Sequence, residues 1–472
     1  MVNWLLRATM NKGAGLGLAV AAVLLCTLPM ARAQASAAFG AVTAPSNRPK
    51  ESKERPLSDR FPDKPSLPPV FSVPIEPLGF TAPASGYLGL RWCFASLGFL
   101  DENRLLFTFR VPGLMHRDAE DSASGEERQI RAVVVTLPEG KVEAEALWTV
   151  HDRVRYLWML KDGHFLLRDR DRLQQGDAKL ELKPALQFPG PLLWLELDPT
   201  QQFMVTNSRE PAVEKTGNVA DSQKTTQPSL NPGDLGKTDP GHDNPGHNNP
   251  GKTDSGKTDL VVRILHRESG KVLLVSRVPR TVHLPINSDG YLESMRGRGQ
   301  QWVLNLNYFG GGSRVVGRVD SACSPAFEFV SDRELLVTAC APGGGSNLVA
   351  MDTTGLHLWE VQTSGAAIWP LLVTAPDGSR LARETMALNR SVDDYMRVLD
   401  ADAVKGQLVR VFNAADGKLA LEAPASPVLD SGGNVAISPT GRRVAILNGG
   451  AIQVFDLPAA PPLPAAGNQA AH

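Results

Sequence analysis

Cysteine is scarce in this chain, four in 472 residues, too few for a fold stapled by a disulfide framework. The short catalytic signatures are missing too. No G-x-S-x-G elbow, H-E-x-x-H helix, paired C-x-x-C or EF-hand loop occurs. Their absence removes the common serine hydrolases, zinc peptidases, cysteine-ligated zinc sites and calcium loops. Quinone-dependent dehydrogenases would need tryptophan-docking repeats and a vicinal cysteine pair, and neither is present. Neither sign of charge dominates, with 49 lysines and arginines against 50 acids. Nucleic acid and anionic lipid therefore find no electrostatic footprint. Nothing in the pattern calls for a cofactor or a metal.

Long apolar runs are also lacking, with one exception at the N-terminus. Arg7 and Lys12 precede an apolar stretch from Ala14 to Leu28, and Ala31-Arg32-Ala33 follows. A positive start, a short apolar core and a small-x-small ending describe a secretory signal peptide over 1–33, cut between Ala33 and Gln34. The apolar stretch falls short of the roughly 20 residues that span a bilayer. Leu24-Leu25 ahead of Cys26 do not suit lipid attachment. The expected mature chain is periplasmic or secreted, without a transmembrane anchor, and carries 46 basic against 50 acidic residues.

Residues 34–79 are rich in Pro, Ser and Lys. They offer too little apolar surface to offset the entropy of ordering and read as a disordered leader. From Phe80 to Pro458 one theme recurs, a pair of strands around a tight turn and then a second pair. First hairpins stand at 96–109, 156–169, 192–206, 326–339, 370–384 and 434–447, each with Asp, Asn, Pro or Gly at its centre. Second hairpins repeat an x-x-Gly-Lys turn at Gly140-Lys141, Gly270-Lys271 and Gly417-Lys418. The unit between Arg280 and Ser321 is weaker. A four-stranded unit repeated in this way predicts an all-β fold, a β-propeller.

Without a low-complexity insertion at 210–259, the span 80–458 leaves 329 residues, or 47 for each of seven blades. Propeller blades usually take about 40–50, so seven four-stranded blades are expected, six or eight being the neighbouring counts. The last unit shows three strands before a disordered tail, 459–472. A ring closed by strands from both termini supplies the fourth, and Tyr87 to Trp92 is the expected donor.

The turns Ser438-Pro439-Thr440-Gly441-Arg442 and Ala375-Pro376-Asp377-Gly378-Ser379 resemble those of WD-repeat, YVTN and TolB-like propellers of exported bacterial proteins. There a strand leads into Ser-Pro-Asp-Gly and a basic residue. The resemblance implies a propeller over about 370 residues and implies no particular activity.

Several motifs invite chemistry. Gly251 to Thr258, GKTDSGKT, matches the phosphate-loop pattern. It lacks the preceding buried strand and the following helix that make such a loop work, and GKTD also occurs at Gly236. His242 and His247 lie in the same low-complexity stretch without a fixed set of ligands. Cys323 and Cys340 flank a hairpin whose turn centres on Ser331-Asp332. A two-residue turn would place them opposite each other, so they are the disulfide candidates, leaving Cys93 odd. His151-Asp152-Arg153 and Arg168-Asp169-Arg170-Asp171-Arg172 are polar clusters near strand ends, read first as a solvated rim or as salt bridges.

With no catalytic, cofactor-binding or metal residues to name, the expected function is a non-enzymatic binding or scaffold module with a protein partner in the cell envelope. The alternative is an enzyme whose site is assembled at the propeller funnel, one residue from each of several blades, which linear motifs cannot reveal.

Overall fold

The structure is a computed structural model that describes residues 62, 64–82, 95–111, 128–152, 154–212, 258–341, 345–363, 367–368, 371–389, 404–429 and 431–462. The Ala33-Gln34 junction, Tyr87–Trp92, Cys93, His242, His247 and Gly251–Lys257 of the phosphate-loop match lie outside them. Every element among the described residues is a strand. The strands form seven antiparallel sheets, the blades of a β-propeller.

Blade 1 is β2 (Ala95–Asp101), β3 (Arg104–Arg110), β4 (Arg128–Thr136) and β5 (Val142–Val150). Blade 2 is β6 (Leu157–Met159), β7 (Phe165–Asp169), β8 (Arg172–Gly176) and β9 (Leu182–Gln187). Blade 3 is β10 (Leu192–Leu197), β11 (Phe203–Pro211), β12 (Thr258–His266) and β13 (Val272–Val278). Blade 4 has the full strands β14 (Gly290–Arg296), β15 (Gln301–Tyr308) and β16 (Ser313–Asp320). Its inner strand is the segment running to Ile286, which bridges Tyr291 and accepts at Pro285 O from Leu292 N–H (2.8 Å). Pro285 has no N–H to give back, so the ladder there stays incomplete. This proline is why the unit is the faintest of the seven in the sequence.

Blade 5 is β17 (Ala326–Phe329), β18 (Glu334–Cys340), β19 (Ser346–Asp352) and β20 (His357–Thr363). In blade 6 two short pieces, β21 (Ala367–Ile368) and β22 (Leu372–Thr374), both pair β23 (Arg380–Leu388), followed by β24 (Val404–Asn413) and β25 (Leu419–Ala425). Blade 7 is β26 (Val435–Ile437), β27 (Arg443–Asn448) and β28 (Ala451–Asp456), completed by β1 (Phe71–Pro74) on the outer edge.

The ring is thus closed by strands from both termini, but the donor is not Tyr87 to Trp92. Phe71 pairs Val454 and Val73 pairs Ile452, inside the stretch expected to be a disordered leader. The alternation is only four residues long and flanked by prolines, too short to stand out. Pro74 is tolerated because an outermost strand need not donate from every residue. The insertion is also narrower than expected. Glu210 pairs Asp259 and Pro211 pairs Thr258, so β11 and β12 extend into it.

Two-residue periodicity builds the interior. In β3, Leu105, Phe107 and Phe109 face blade 7 with Val73, Leu447 and Val454. Leu106 faces blade 2 with Tyr156, Leu157 and Phe165. Each sheet is therefore apolar on both faces, and one buried cluster fills each of the seven gaps between blades.

The recurring glycine turns gain a second meaning here. Each seats its outer hairpin on the outer strand of the preceding blade. Gly140 lies over Val73, Gly270 over Leu186, Gly355 over the Val316 carbonyl and Gly417 over the Trp359 ring. Trp359 also donates from Nε1 to Ala414 O (2.6 Å). Between blades 6 and 7, buried Glu384 accepts from Asn434 N (2.7 Å) and Gly433 N (3.1 Å) and so holds the connector.

Gly417 has φ +67 and a Cβ there would sit 2.5 Å from the Trp359 ring, whereas Gly449 has φ +59 with open space around it. Overpacking costs about 1–3 kcal/mol and a left-handed non-glycine residue about 1–2 kcal/mol. Urea unfolding is expected to show Gly417→Ala clearly more destabilising than Gly449→Ala. Equal losses would mean that the seat on Trp359 contributes nothing. Cys323 and Cys340 are joined by a disulfide, Cα 5.5 Å apart and 17 residues apart in sequence. The hairpin register is one residue out of step with the two-residue turn expected. Ala326 pairs Thr338, and Cys323 lies just ahead of β17. Closing a loop of this length is worth about 3 kcal/mol in the chain-entropy model, so the double serine variant is expected to unfold at correspondingly lower urea.

Candidate functional site

The inner strands of the blades surround a central channel. Most of their side chains are apolar and go into the gaps between blades. Four consecutive blades depart from that rule and bring ionisable groups toward one another. These are Arg155 just before β6, Glu196 in β10, His283 on the inner segment of blade 4 and Glu328 in β17.

His283 and Glu196 form the best-defined contact, Nε2 to Oε2 at 2.8 Å. The imidazole also meets the Trp194 ring edge-on, centroids 4.7 Å apart at 61°. His283 keeps 43% of its side-chain surface open although protein is packed densely around it. Groups on a channel wall behave this way. Burial alone pushes the imidazole down, but the Glu196 charge and contact lift it above the ordinary histidine value. The pair is therefore a carboxyl group in contact with an imidazole that favours its charged form.

Glu328 is different. Burial, and after it the Glu196 charge, push its carboxyl up to about 8, against the smaller opposing pull of His283 and Arg155. Among the described residues it has no hydrogen-bond partner. Arg155 lies over the Trp158 ring at 5.3 Å and donates from Nε to Leu157 O (3.2 Å). The site thus pairs one glutamate with a histidine and brings a second, half-buried carboxyl within reach of their charges.

The two polar clusters conspicuous in the sequence fall elsewhere, as plain salt bridges. His151 holds Asp169 through both backbone N and Nδ1 (each 2.9 Å). Arg168, 1% exposed, binds Asp152 at 3.0 Å. Asp152 also accepts from Arg170 N (3.1 Å). These ties stay within blade 2 and the connector leading to it, and they leave little over for a ligand. Among the described residues no group of three or more His, Cys, Asp or Glu can hold a metal ion. A cleft of about 430 Å³ between blades 2 and 3 is lined by Asp162, Asp177, Glu181 and Glu268 beside Lys183 and Arg267. Asp177 is spent on its own turn, accepting from Lys179 N and Glu181 N, and Arg267 on Gln201 O and Glu268. The channel wall is the better candidate.

Glu196, His283 and Glu328 escape linear reading because they stand 45 residues or more apart. One signal was available. In LLWLEL and AFEF an acid interrupts the apolar alternation at the last position but one of the inner strand.

Linkage gives a test of this geometry. An unfolded glutamate titrates near 4.5 and Glu328 in the fold near 8. Between these values the folded state holds the extra proton, so stability falls as pH rises through that window. Glu384, pushed up to about 8 by burial despite its backbone donors, adds to the same fall. From pH 5 to 8 the thermal unfolding midpoint is expected to fall less steeply in Glu328→Gln than in the unaltered protein. An unchanged slope would mean Glu328 is ionised and solvated.

No family model matches this sequence, and no curated protein does. Among solved structures the chain is similar to an acylaminoacyl peptidase from Pyrococcus horikoshii, with 9% identity, 78% of this chain and 50% of that one covered and a TM-score of 0.40. The chain therefore spans about half the length of that peptidase. The β-propeller domain of the Trilobed protease from Pyrococcus furiosus gives 9% identity, coverage of 78% and 94% and a TM-score of 0.39. Hydrazine synthase from Kuenenia stuttgartiensis gives 11% identity, coverage of 79% and 97% and a TM-score of 0.37. At such identities the likeness extends to the propeller fold and no further.

Proposed function

We propose that this chain is an exported, non-enzymatic binding propeller that takes its ligand, or a protruding part of an envelope protein partner, in the central channel. One observation carries the reading, the convergence of Arg155, Glu196, His283 and Glu328 from four consecutive blades. Arg155 and His283 are exposed and Glu196 and Glu328 half-buried, so a ligand entering the channel would meet all four. Export rests on the Met1–Ala33 pattern, and the partner on the absence of a nucleophile or metal set among these residues. A second reading, an enzyme assembled at the funnel, is favoured by Glu328. A carboxyl pushed up to about 8 near a histidine–carboxyl contact is a candidate proton donor.

A ligand specific for the folded channel must raise the unfolding temperature by mass action. Screening small polar molecules and peptides by thermal shift is expected to give hits that shift the unaltered protein by several degrees and leave His283→Ala and Trp194→Ala unmoved. Hits that shift all three proteins equally, or no hits from any class, would overturn the channel reading. Recovery of a chemically altered hit after incubation would decide for the enzyme.

A further inference from the structure

Many arginines in this ring are held by acids, as Arg104 is by Asp101, Arg131 by Glu145 and Arg443 by Asp456. Blade 4 departs from that pattern. Arg296 at the end of β14, Arg298 in the loop after it and Arg318 near the end of β16 are all exposed. Among the described residues none of the three forms an ion pair or a side-chain hydrogen bond. Asp320, the exposed acid at this end, joins none of them. The register brings the arginines together. Arg296 pairs Trp302 of β15, and Trp302 pairs Val319, the neighbour of Arg318. Two strand spacings of about 4.8 Å therefore separate the flanking strands, and the guanidiniums gather at one end of the blade. We infer that this end of blade 4 docks an acidic segment of a protein partner, whose carboxylates take Arg296, Arg298 and Arg318.

The arginines stand on an ordered support. Gly297 N donates to Gln301 O (2.8 Å), Gln301 N to Arg298 O (3.2 Å) and Ser321 N to Gln300 O (2.9 Å). Buried Trp302 fixes the start of β15 through its Nε1 bond to Ser321 O. Residues 296–300 are exposed throughout, and Gly299 has open space around it. An arriving segment thus meets a preformed turn that needs little reordering. Paired residues share a face of a sheet and successive ones alternate, so Arg296 lies on one face of the blade and Arg318 on the other. The segment therefore crosses over the end of the blade. A guanidinium fork matches a carboxylate through two parallel N–H bonds. A membrane surface or a nucleic acid would also meet the rest of the chain, whose acids slightly outnumber its bases, whereas a short acidic segment meets this end alone. The patch is carried by the second and fourth strands of blade 4, not by its inner segment, and is separate from the channel.

Fluorescence anisotropy on the full chain tests this with a labelled Gly-Glu-Asp-Glu-Asp-Gly peptide, its Gln/Asn counterpart and its Lys counterpart. Heparin fragments and phosphatidylglycerol vesicles serve as competing polyanions. Saturable binding of the acidic peptide alone is expected, weakening as salt rises. Arg296→Gln, Arg298→Gln and Arg318→Gln should each lower affinity about two- to fivefold, and the triple variant at least about tenfold, as exposed guanidinium–carboxylate pairs do. All three side chains are exposed, so circular dichroism and the unfolding midpoint should not move. Arg442 is exposed on the blade 7 turn without an acid partner among the described residues. Arg442→Gln, and His283→Ala in the channel, should bind the peptide as the unaltered protein does. Failure of the acidic peptide to bind, equal binding to the triple variant, or an equal loss in Arg442→Gln would overturn the inference. Tighter binding of heparin or of the vesicles would assign this end to a polyanion, and a loss in His283→Ala would put the peptide in the channel. Either result would overturn it too.

Discussion

The four residues Phe71–Pro74 are the constraint on which the rest of this ring depends. A propeller is a closed row of sheets packed face to face, and an open row leaves one sheet edge and one apolar face in water. By pairing β28, β1 covers the edge of blade 7. It also carries Val73, which is buried in the gap between blades 7 and 1 and is the seat on which Gly140 of blade 1 rests. One short strand therefore closes a hydrogen-bond ladder, an apolar gap and an inter-blade turn contact together. Ile75, Leu78 and Phe80 continue the chain into the same gap, so the segment after β1 is pinned by packing as well as by pairing.

Once the ring is closed, each blade meets the same geometric demand from both neighbours. Strands alternate side chains between two faces, and here both faces are interior. The middle strands are accordingly almost continuous apolar runs, such as Ala132 to Val135 in β4, all buried. Polar residues that do enter the blades come in tied sets. Arg263 holds Glu210, Arg410 holds Glu422 at 2.7 Å and Thr108 meets the Tyr156 hydroxyl at 2.9 Å. Trp302 donates to Ser321 O at 3.3 Å. Buried polar groups left unmatched are expensive, yet several single atoms remain so, among them Thr206 Oγ1, Arg380 Nε and Asn434 Oδ1.

Much of the architecture was legible in the sequence because its determinants are local. A turn such as Ser438-Pro439-Thr440-Gly441 specifies its own hairpin, and the repeat length supplies the blade number. Features that escaped depend on partners distant in sequence. β1 is four residues whose identity as a strand comes from β28, nearly the whole chain away. The inner segment of blade 4 is obscured by Pro285, which removes the ladder bond that would make it regular. The disulfide hairpin was legible in its pairing of cysteines but not in its register, since a turn longer by one residue shifts every partner. Of the channel site nothing was legible as a unit. Glu196, His283 and Glu328 each look like an isolated polar residue in an apolar strand, and only ring closure makes them neighbours.

A structural role for that channel set would predict the pattern seen at Glu384. There a buried carboxyl accepts from the backbone of Gly433 and Asn434 and from Gln407 Nε2 at 3.2 Å. That carboxyl is fully occupied, and its use is to hold the connector between blades 6 and 7. Glu328 shares the upward displacement of its acidity, to about 8 in both cases, and shares none of the bonding. The two carboxyls thus differ both in exposure, Glu384 being fully buried and Glu328 half-buried, and in whether the fold itself supplies a donor. A half-buried acid on an inner strand, near the charges of Glu196, Arg155 and His283 and without a donor from the described residues, is open to what enters the channel, whereas Glu384 is spent on the fold.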